Sequence, residues 1–381
     1  MPRNTFRHFP SRRARQPGMT LIELMVAMLI GLLLGLVMVK ALVFGQSQQR
    51  TTSAASATSQ SGAYAASALD SALRNAGSGL MQSITPLDVG IVGCNPGFAA
   101  ASSLPAPFDK FLGGDLGSLR VAPLLIAANP SNATPASDVL AVMSGSGAAG
   151  GIPRAVVSAS GKTLELSNTI GITAPSVALI PGGGGGCVIQ TISAVDSGAH
   201  TLTLSDEPAA TPGVVLPLGN PDAGDVQFQL LGVDPATTTL TSYDLLSNTV
   251  RPMAGSVLAM QALYGVADNS GQLAQWVAPT ATGYGIDTLM AAPDTLRRIV
   301  AIRVALILKS SLYEKEPVSA GKQLSWFDPA PGTGADLVGI PFSGLSAGAH
   351  AWTPAEDSPD EHYRYGVIEF VVPMRNGMII N

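Results

Sequence analysis

Residues 19–44 are almost wholly apolar, broken only by Glu23 and Lys40. As an α-helix this run spans about 39 Å at about 1.5 Å per residue. That exceeds a hydrocarbon core of about 30 Å and is too long for a cleaved secretory signal. No proline interrupts the chain between Pro17 and Pro86. Leu69, Leu73 and Ala76 recur at helical spacing, and Gly77 and Gly79 supply a stop. The pattern therefore predicts one helix over 19–76, apolar all round in a membrane-spanning part at 19–44 and amphipathic later. Beyond Gly79, short apolar stretches alternate with Gly, Pro, Asn and Ser clusters, the texture of a mainly β region. Strands are expected at 139–143, 163–166, 201–204 and 226–230. In 298–309, Ile302, Val304, Leu306 and Leu308 share one face, as do Ile368, Phe370 and Val372 near the C-terminus. Gly182 to Gly186 reads as a flexible five-glycine loop. The expected fold class is α+β: a long N-terminal membrane or filament helix, then a mainly antiparallel β head over 80–381.

Charge adds direction to this picture. Arg3, Arg7, Arg12, Arg13 and Arg15 precede the apolar run with no acid among residues 1–18. Basic residues flanking an apolar span stay in the cytoplasm, so the head is expected on the outer side. Without those five arginines, 16 basic residues (21 less 5) face 26 acidic ones, a net of -10. An acidic body argues against nucleic acid as the main partner. Cys94 and Cys187 both lie on the side predicted to face outward. In an oxidising compartment two cysteines predict one disulfide; the alternative is two buried free thiols.

The densest signal is Pro17-Gly18-Met19-Thr20-Leu21-Ile22-Glu23-Leu24, placed between the basic leader and the apolar run. A carboxylate near the start of a membrane helix is costly without a partner, although a helix N-terminus favours negative charge. The block resembles the prepilin cleavage and methylation motif, with Met19 where the commoner form has Phe. The resemblance implies a leader, 1–18, cut after Gly18 by a prepilin peptidase, and N-methylation of Met19. It also implies that Glu23 meets the free amino group of a neighbouring subunit in a filament. Gly31 and Gly35 form a small-xxx-small pair that permits close helix approach, or are simply glycines in a membrane helix; Lys40 is expected to snorkel to the interface.

Further blocks resemble PilW-type minor pilins: LDSALRNAGSG at 69–79, Ser137-Asp138-Val139-Leu140, the stretch 257–276 with Met260-Gln261 and Leu263-Tyr264-Gly265-Val266, the stretch 296–310, and Pro373-Met374-Arg375-Asn376. The resemblance implies a minor pilin that takes part in initiation and assembly of type IV pili. Its partners would be the prepilin peptidase, other major and minor pilins and the inner-membrane assembly platform. It would sit in the inner membrane as a single-pass protein with a periplasmic head, then in the pilus. The alternatives are a minor pseudopilin of a type II secretion system, or a signal-anchored periplasmic enzyme or receptor.

Catalytic chemistry has little to stand on. Gly145-Ser146-Gly147-Ala148-Ala149-Gly150 matches GxGxxG, but Pro153 follows and no helix opens to hold a phosphate. Gly161-Lys162-Thr163 imitates a P-loop tail, with Val156 where the first glycine belongs. His8, His200, His350 and His362 lack zinc-ligand spacing. Glu356-Asp357 and Asp360-Glu361 offer hard oxygens for calcium or form a solvated acidic loop. No catalytic residue, metal or cofactor is expected, and the chain reads as a non-enzyme.

Overall fold

The computed structural model describes residues 18–80, 91–98, 103–145, 151–182, 185–329, 334–336, 338–345 and 350–374. Its chain divides into two compact units, Met1–Ser53 and Ala54–Asn381. Helix α1 runs Leu21–Arg74 and contributes to both. In its later part Ala65, Leu69, Ala72 and Leu73 are buried at helical spacing, so one stripe faces the core of the second unit. Gly77, at φ +76°, ends the helix; its N–H donates to the Met143 carbonyl at 2.8 Å. Only a residue without Cβ enters the left-handed region cheaply.

Two five-stranded sheets flank the main core. The first contains β1 (Leu124–Ala127), β2 (Val139–Ser144), β9 (Gln227–Asp234), β10 (Thr239–Asp244) and β11 (Thr249–Ala254), in that spatial order and antiparallel throughout. The second has the order β16 (Phe342–Ser343), β13 (Leu273–Val277), β12 (Val257–Ala267), β14 (Ile299–Lys309) and β18 (Tyr365–Pro373). It is antiparallel except at β13 and β16. Ile302, Val304, Leu306 and Leu308 of β14 face the main core together with Leu69 and Leu73, as their period-two spacing requires. Two short helices, α2 (Ile286–Met290) and α3 (Pro293–Arg297), lead into β14.

The opposite face of the second sheet is also covered, by the connection from β14 to β18. Trp326 and Phe327 there pack with Trp276, Leu263 and Ile307 in a satellite core; the pair β15 (Leu324–Ser325) and β17 (Ala351–Trp352) belongs to this layer. Arg303 holds it down. Its guanidinium lies 5.2–6.0 Å from the rings of Phe342, Phe327 and Trp276 and pairs with Glu369 at 2.9 Å. Desolvated contacts of this kind carry more weight than exposed ones.

The sequence did not reveal the third element of the architecture. Between β2 and β9, which are hydrogen-bonded neighbours, the chain builds a closed six-stranded barrel. Its strands are β3 (Arg154–Ser160), β4 (Thr163–Leu166), β5 (Ser176–Pro181), β6 (Cys187–Asp196), β7 (Thr201–Leu204) and β8 (Val214–Gly219), in the order β3-β4-β7-β6-β5-β8. Pairing of Arg154 with Val215 closes the ring, which removes its exposed edges. The barrel has its own core of Leu164, Leu166, Ile180, Ile192, Leu202 and Val215 among others. The head is thus a two-sheet body with an inserted barrel.

Candidate processing and assembly site

Helix α1 starts where the sequence chemistry asks it to. The Glu23 N–H donates to Thr20 Oγ1 at 3.3 Å and to the Thr20 carbonyl at 3.1 Å; Leu24 N–H reaches the same carbonyl at 3.2 Å. Thr20 is therefore the N-cap, and Thr-x-x-Glu is the sequence signature of a capping box. Glu23 stands in the first turn, where the positive end of the helix dipole favours a carboxylate. The Thr20–Glu23 spacing is itself a local signal of this cap. Gly18 and Met19 precede the helix and are exposed; the preceding leader lies outside the described residues.

From Leu21 to Phe44 every large apolar side chain is exposed, Leu21 at 79% and Val37 at 63%. The helix is long and apolar enough to cross a membrane by length and composition. A helix apolar on every side asks for lipid or for other apolar helices. A Cβ added at Gly31 or Gly35 would meet nothing within 4 Å, so among the described residues neither glycine serves a contact.

The second unit shows what the other motif residues do. Leu69 and Leu73 are fully buried, and Arg74 pairs with Asp70 one turn back at 2.6 Å. Asp138, at the start of β2, is buried among backbone donors. Its Oδ2 accepts from Ala262 N–H at 2.9 Å and its Oδ1 from Asn129 N–H at 3.0 Å, while its own N–H donates to the Met260 carbonyl at 2.6 Å. Ser137 Oγ accepts from Met260 N–H, and Gln261 donates to the Ala136 carbonyl. Residues 136–138 thereby stitch the first sheet to β12 of the second. Burial pushes the Asp138 carboxyl up to about 7 against the two backbone hydrogen bonds that favour the anion. The sequence block at 137–140 and the one around 260 are two sides of one joint.

Cys94 and Cys187 form a disulfide. It pins the β5–β6 hairpin of the barrel to the segment before the first sheet, where Cys187 N–H donates to the Asn95 carbonyl at 3.0 Å and Asn95 N–H to that of Gly185 at 3.1 Å. Joining chain positions 93 apart restricts the unfolded chain by about 4–5 kcal/mol in the loop-entropy description. The glycine run is not a free linker at its described ends: Gly182 N–H donates to the Gly186 carbonyl at 2.8 Å. Gly183 and Gly184 lie outside the described residues.

The remaining candidates resolve into structure. The GxGxxG run beyond Gly145, and His8, lie outside the described residues. Lys162 ends the β3–β4 turn and donates to the Ser205 carbonyl at 2.5 Å. His200 occupies a turn at φ +54°. His350 Nδ1 lies 2.7 Å from Gln261 Oε1, and burial lowers its pKa. Asp360 pairs with Lys309 at 2.8 Å, and Glu361 Oε2 accepts from Asp357 N–H. Among the described residues no group of three or more His, Cys, Asp or Glu is placed to hold a metal ion.

Residues 236–376 match the family model of Type IV Pilus-assembly protein W, and residues 13–39 match the prokaryotic N-terminal methylation motif. No curated protein matches the chain. Among solved structures, a type IV-like pilin from Thermus thermophilus is similar at 13% identity over 54% of this chain and 86% of that one, with a TM-score of 0.22. The first match covers β10 to β18 and ends outside the barrel; the second covers the cap, Glu23 and the first part of the apolar helix. A capped apolar helix carrying a methylation-motif match, followed by an antiparallel β head whose C-terminal part matches the Type IV Pilus-assembly protein W model, makes this chain similar to type IV pilins and to the PilW-type proteins among them.

Proposed function

We propose that this chain is a minor pilin that takes part in initiating and assembling type IV pili, by insertion and packing rather than by catalysis. The leader is removed after Gly18 by a prepilin peptidase, and Met19 becomes the methylated N-terminus. The span at 19–44 then holds the protein in the inner membrane as a single pass, with residues 80–381 in the periplasm, until it joins other pilins at the assembly platform and enters the pilus. The observation that carries this reading is the exposure of every large apolar side chain of 21–44, between 45% and 79%, beneath a Thr20 cap with Glu23 in the first turn. Among the described residues this surface has no partner in its own chain.

Glu23 is assigned the charge partner of another subunit's amino terminus. Losing one member of a desolvated, hydrogen-bonded charge pair costs about 3–5 kcal/mol, and about 1.4 kcal/mol is a tenfold change. Glu23→Ala is therefore expected to cut the pilus-associated fraction by tens-fold or more. Its membrane level and processed fraction should stay normal, because a methyl enters lipid more easily than a carboxylate. Fractionation and sheared-pilus blots measure all three. Normal incorporation of the variant would refute the role of Glu23, and a mature N-terminus other than Met19 by mass spectrometry would refute the processing site.

A further inference from the structure

The chain leaves the two-sheet body for the barrel at the end of β2 and returns to it at the start of β9. Ser144 and Gln227, the last residue of one strand and the first of the other, oppose each other across the ladder, so their side chains share a face. The end of α1 lies against this neck: Gly77 N–H donates to the Met143 carbonyl at 2.8 Å and Gly145 N–H to the Ser78 carbonyl at 2.7 Å. Between the three segments a cavity of about 180 Å³ opens. Among the described residues every side chain that lines it is polar: Asn75, Ser78, Ser144, Asp225 and Gln227. At about 30 Å³ per water, it has room for an ion and several waters.

Two features define the chemistry of this cavity. Ser144 is only 2% exposed, yet its hydroxyl has no hydrogen-bond partner among the described residues and is not sealed off from the cavity it lines. Buried hydroxyls are nearly always paired, and an exception asks for an explanation. The second feature is charge. Asp225 is the one ionisable group among the described lining residues, and its Oδ2 accepts from Asn220 N–H at 3.2 Å, which holds the carboxylate in place. The cavity also abuts the C-terminal end of α1, the negative end of the helix dipole. Arg74, close by in sequence, is turned back to Asp70 and does not line the cavity. A carboxylate and a helix C-terminus without a basic side chain make a negative site, which a cation offsets. The donors are hard oxygens of carboxylate, hydroxyl and amide type, the set that calcium takes in shells of about 6–8 ligands with water among them.

We propose that the neck of the barrel binds a divalent cation of the calcium type. The Asp225 carboxylate, the Ser144 hydroxyl and the side-chain oxygens of Asn75 and Ser78 hold it, and water completes its shell. One carboxylate among the ligands makes a weak site, half-saturated at about 0.1–1 mM. The ion joins the end of α1, the strand that leaves for the barrel and the strand that returns, and so fixes the barrel on the body.

The test uses the full chain in lipid nanodiscs, stripped with EGTA and titrated with calcium chloride, with amide hydrogen exchange read by peptide mass spectrometry. Calcium is expected to slow exchange in the peptides holding residues 75–80 and 220–227 and to raise the melting temperature, because an ion that binds only the folded state stabilises it. Sodium chloride at equal ionic strength should do neither. Asp225→Asn, at an exposed position, keeps an acceptor for Asn220 N–H and removes the charge; it should raise the half-saturating calcium concentration roughly tenfold or more. Ser144→Ala should raise it roughly threefold, the worth of one neutral polar contact. Asp357→Asn, in the acidic loop elsewhere in the head, should leave it unchanged. Exchange at the neck that ignores calcium, equal protection by sodium chloride, or calcium binding that survives in folded Asp225→Asn and is lost in Asp357→Asn would overturn the proposal.

Discussion

Residues 21–44 and 54–74 of α1 share a backbone conformation and differ in what they ask of their surroundings. The earlier stretch exposes Leu, Val, Ile, Met and Phe on every side. The later one is rich in Ser, Ala, Thr and Gln and buries only a stripe that ends in Leu69 and Leu73. Among the described residues the apolar stretch packs against no part of the core, and the polar one helps to build it. High hydrophobicity here marks the exposed surface, while a modest amphipathic pattern marks the surface that packs into this chain's own core.

That contrast predicts opposite outcomes for matched substitutions. Leu73→Ala should lower the unfolding free energy of the Ala54–Asn381 unit by about 2–5 kcal/mol, the cost of a buried leucine and the cavity it leaves. Leu33→Ala, at an exposed position, should leave that transition within about 0.5 kcal/mol of wild type. Denaturant melts followed by tryptophan fluorescence compare the two; equal losses would dissolve the distinction.

The joint at Asp138 sharpens the contrast through pH. Its folded-state pKa, about 7, lies above the unfolded value near 3.9. The folded state then binds the proton more tightly, so the stability linked to this group is present at low pH and is lost as pH rises toward 7. Between pH 5 and 7 the loss amounts to roughly 2 kcal/mol by linkage. His350, with its pKa lowered by burial, contributes a slope of the opposite sign as pH falls below about 6.5. The difference between wild type and Asp138→Asn isolates the aspartate: the variant should lack this slope in melts at pH 5, 6 and 7, and an unchanged slope would reject the assignment.

Glycines give a smaller effect of the same kind. A Cβ at Gly62 would run into Leu308 Cδ1 and come 2.8 Å from Ile368 Cδ1. Gly62→Ala should cost about 1–3 kcal/mol through overpacking, whereas Gly31→Ala, with open space around it, should leave the head's melting curve in place. The smallest expected change is for Glu23→Ala, which should not move the head's unfolding midpoint beyond about 0.5 kcal/mol although it depletes the variant from pili. A large stability loss there would turn the assembly defect into a folding defect.

Much of the frame was legible because its signals are local. The helix expected at 19–76 is observed at Leu21–Arg74, since an unbroken apolar run followed by Leu69 and Leu73 at helical spacing leaves few alternatives. Strands Thr163–Leu166 and Thr201–Leu204 fall where alternation placed them, and 298–309 became Ile299–Lys309. Local alternation marks two of the barrel's strands, Thr163–Leu166 and Thr201–Leu204, but not the barrel. Its closure depends on β3 meeting β8 and β4 meeting β7, pairings of residues far apart in sequence that no local pattern records. Nothing in Ser137-Asp138-Val139-Leu140 announces that the Asp138 carboxylate will accept from the backbone of β12.

By itself the sequence determined the apolar span, the arginine-rich stretch before it, the Thr20 and Glu23 spacing, the antiparallel β character of the body and the two cysteines available for a bridge. These follow from side-chain chemistry and from periods of 3.6 and 2, which need no knowledge of distant residues. Tertiary structure alone decided that β2 and β9 lie side by side with a barrel between them in sequence, that Cys94 ties that barrel to the body, and that Asp138 is buried at the seam. Each depends on which strands pair and in what register, and a shift of one residue would reverse every side chain's face.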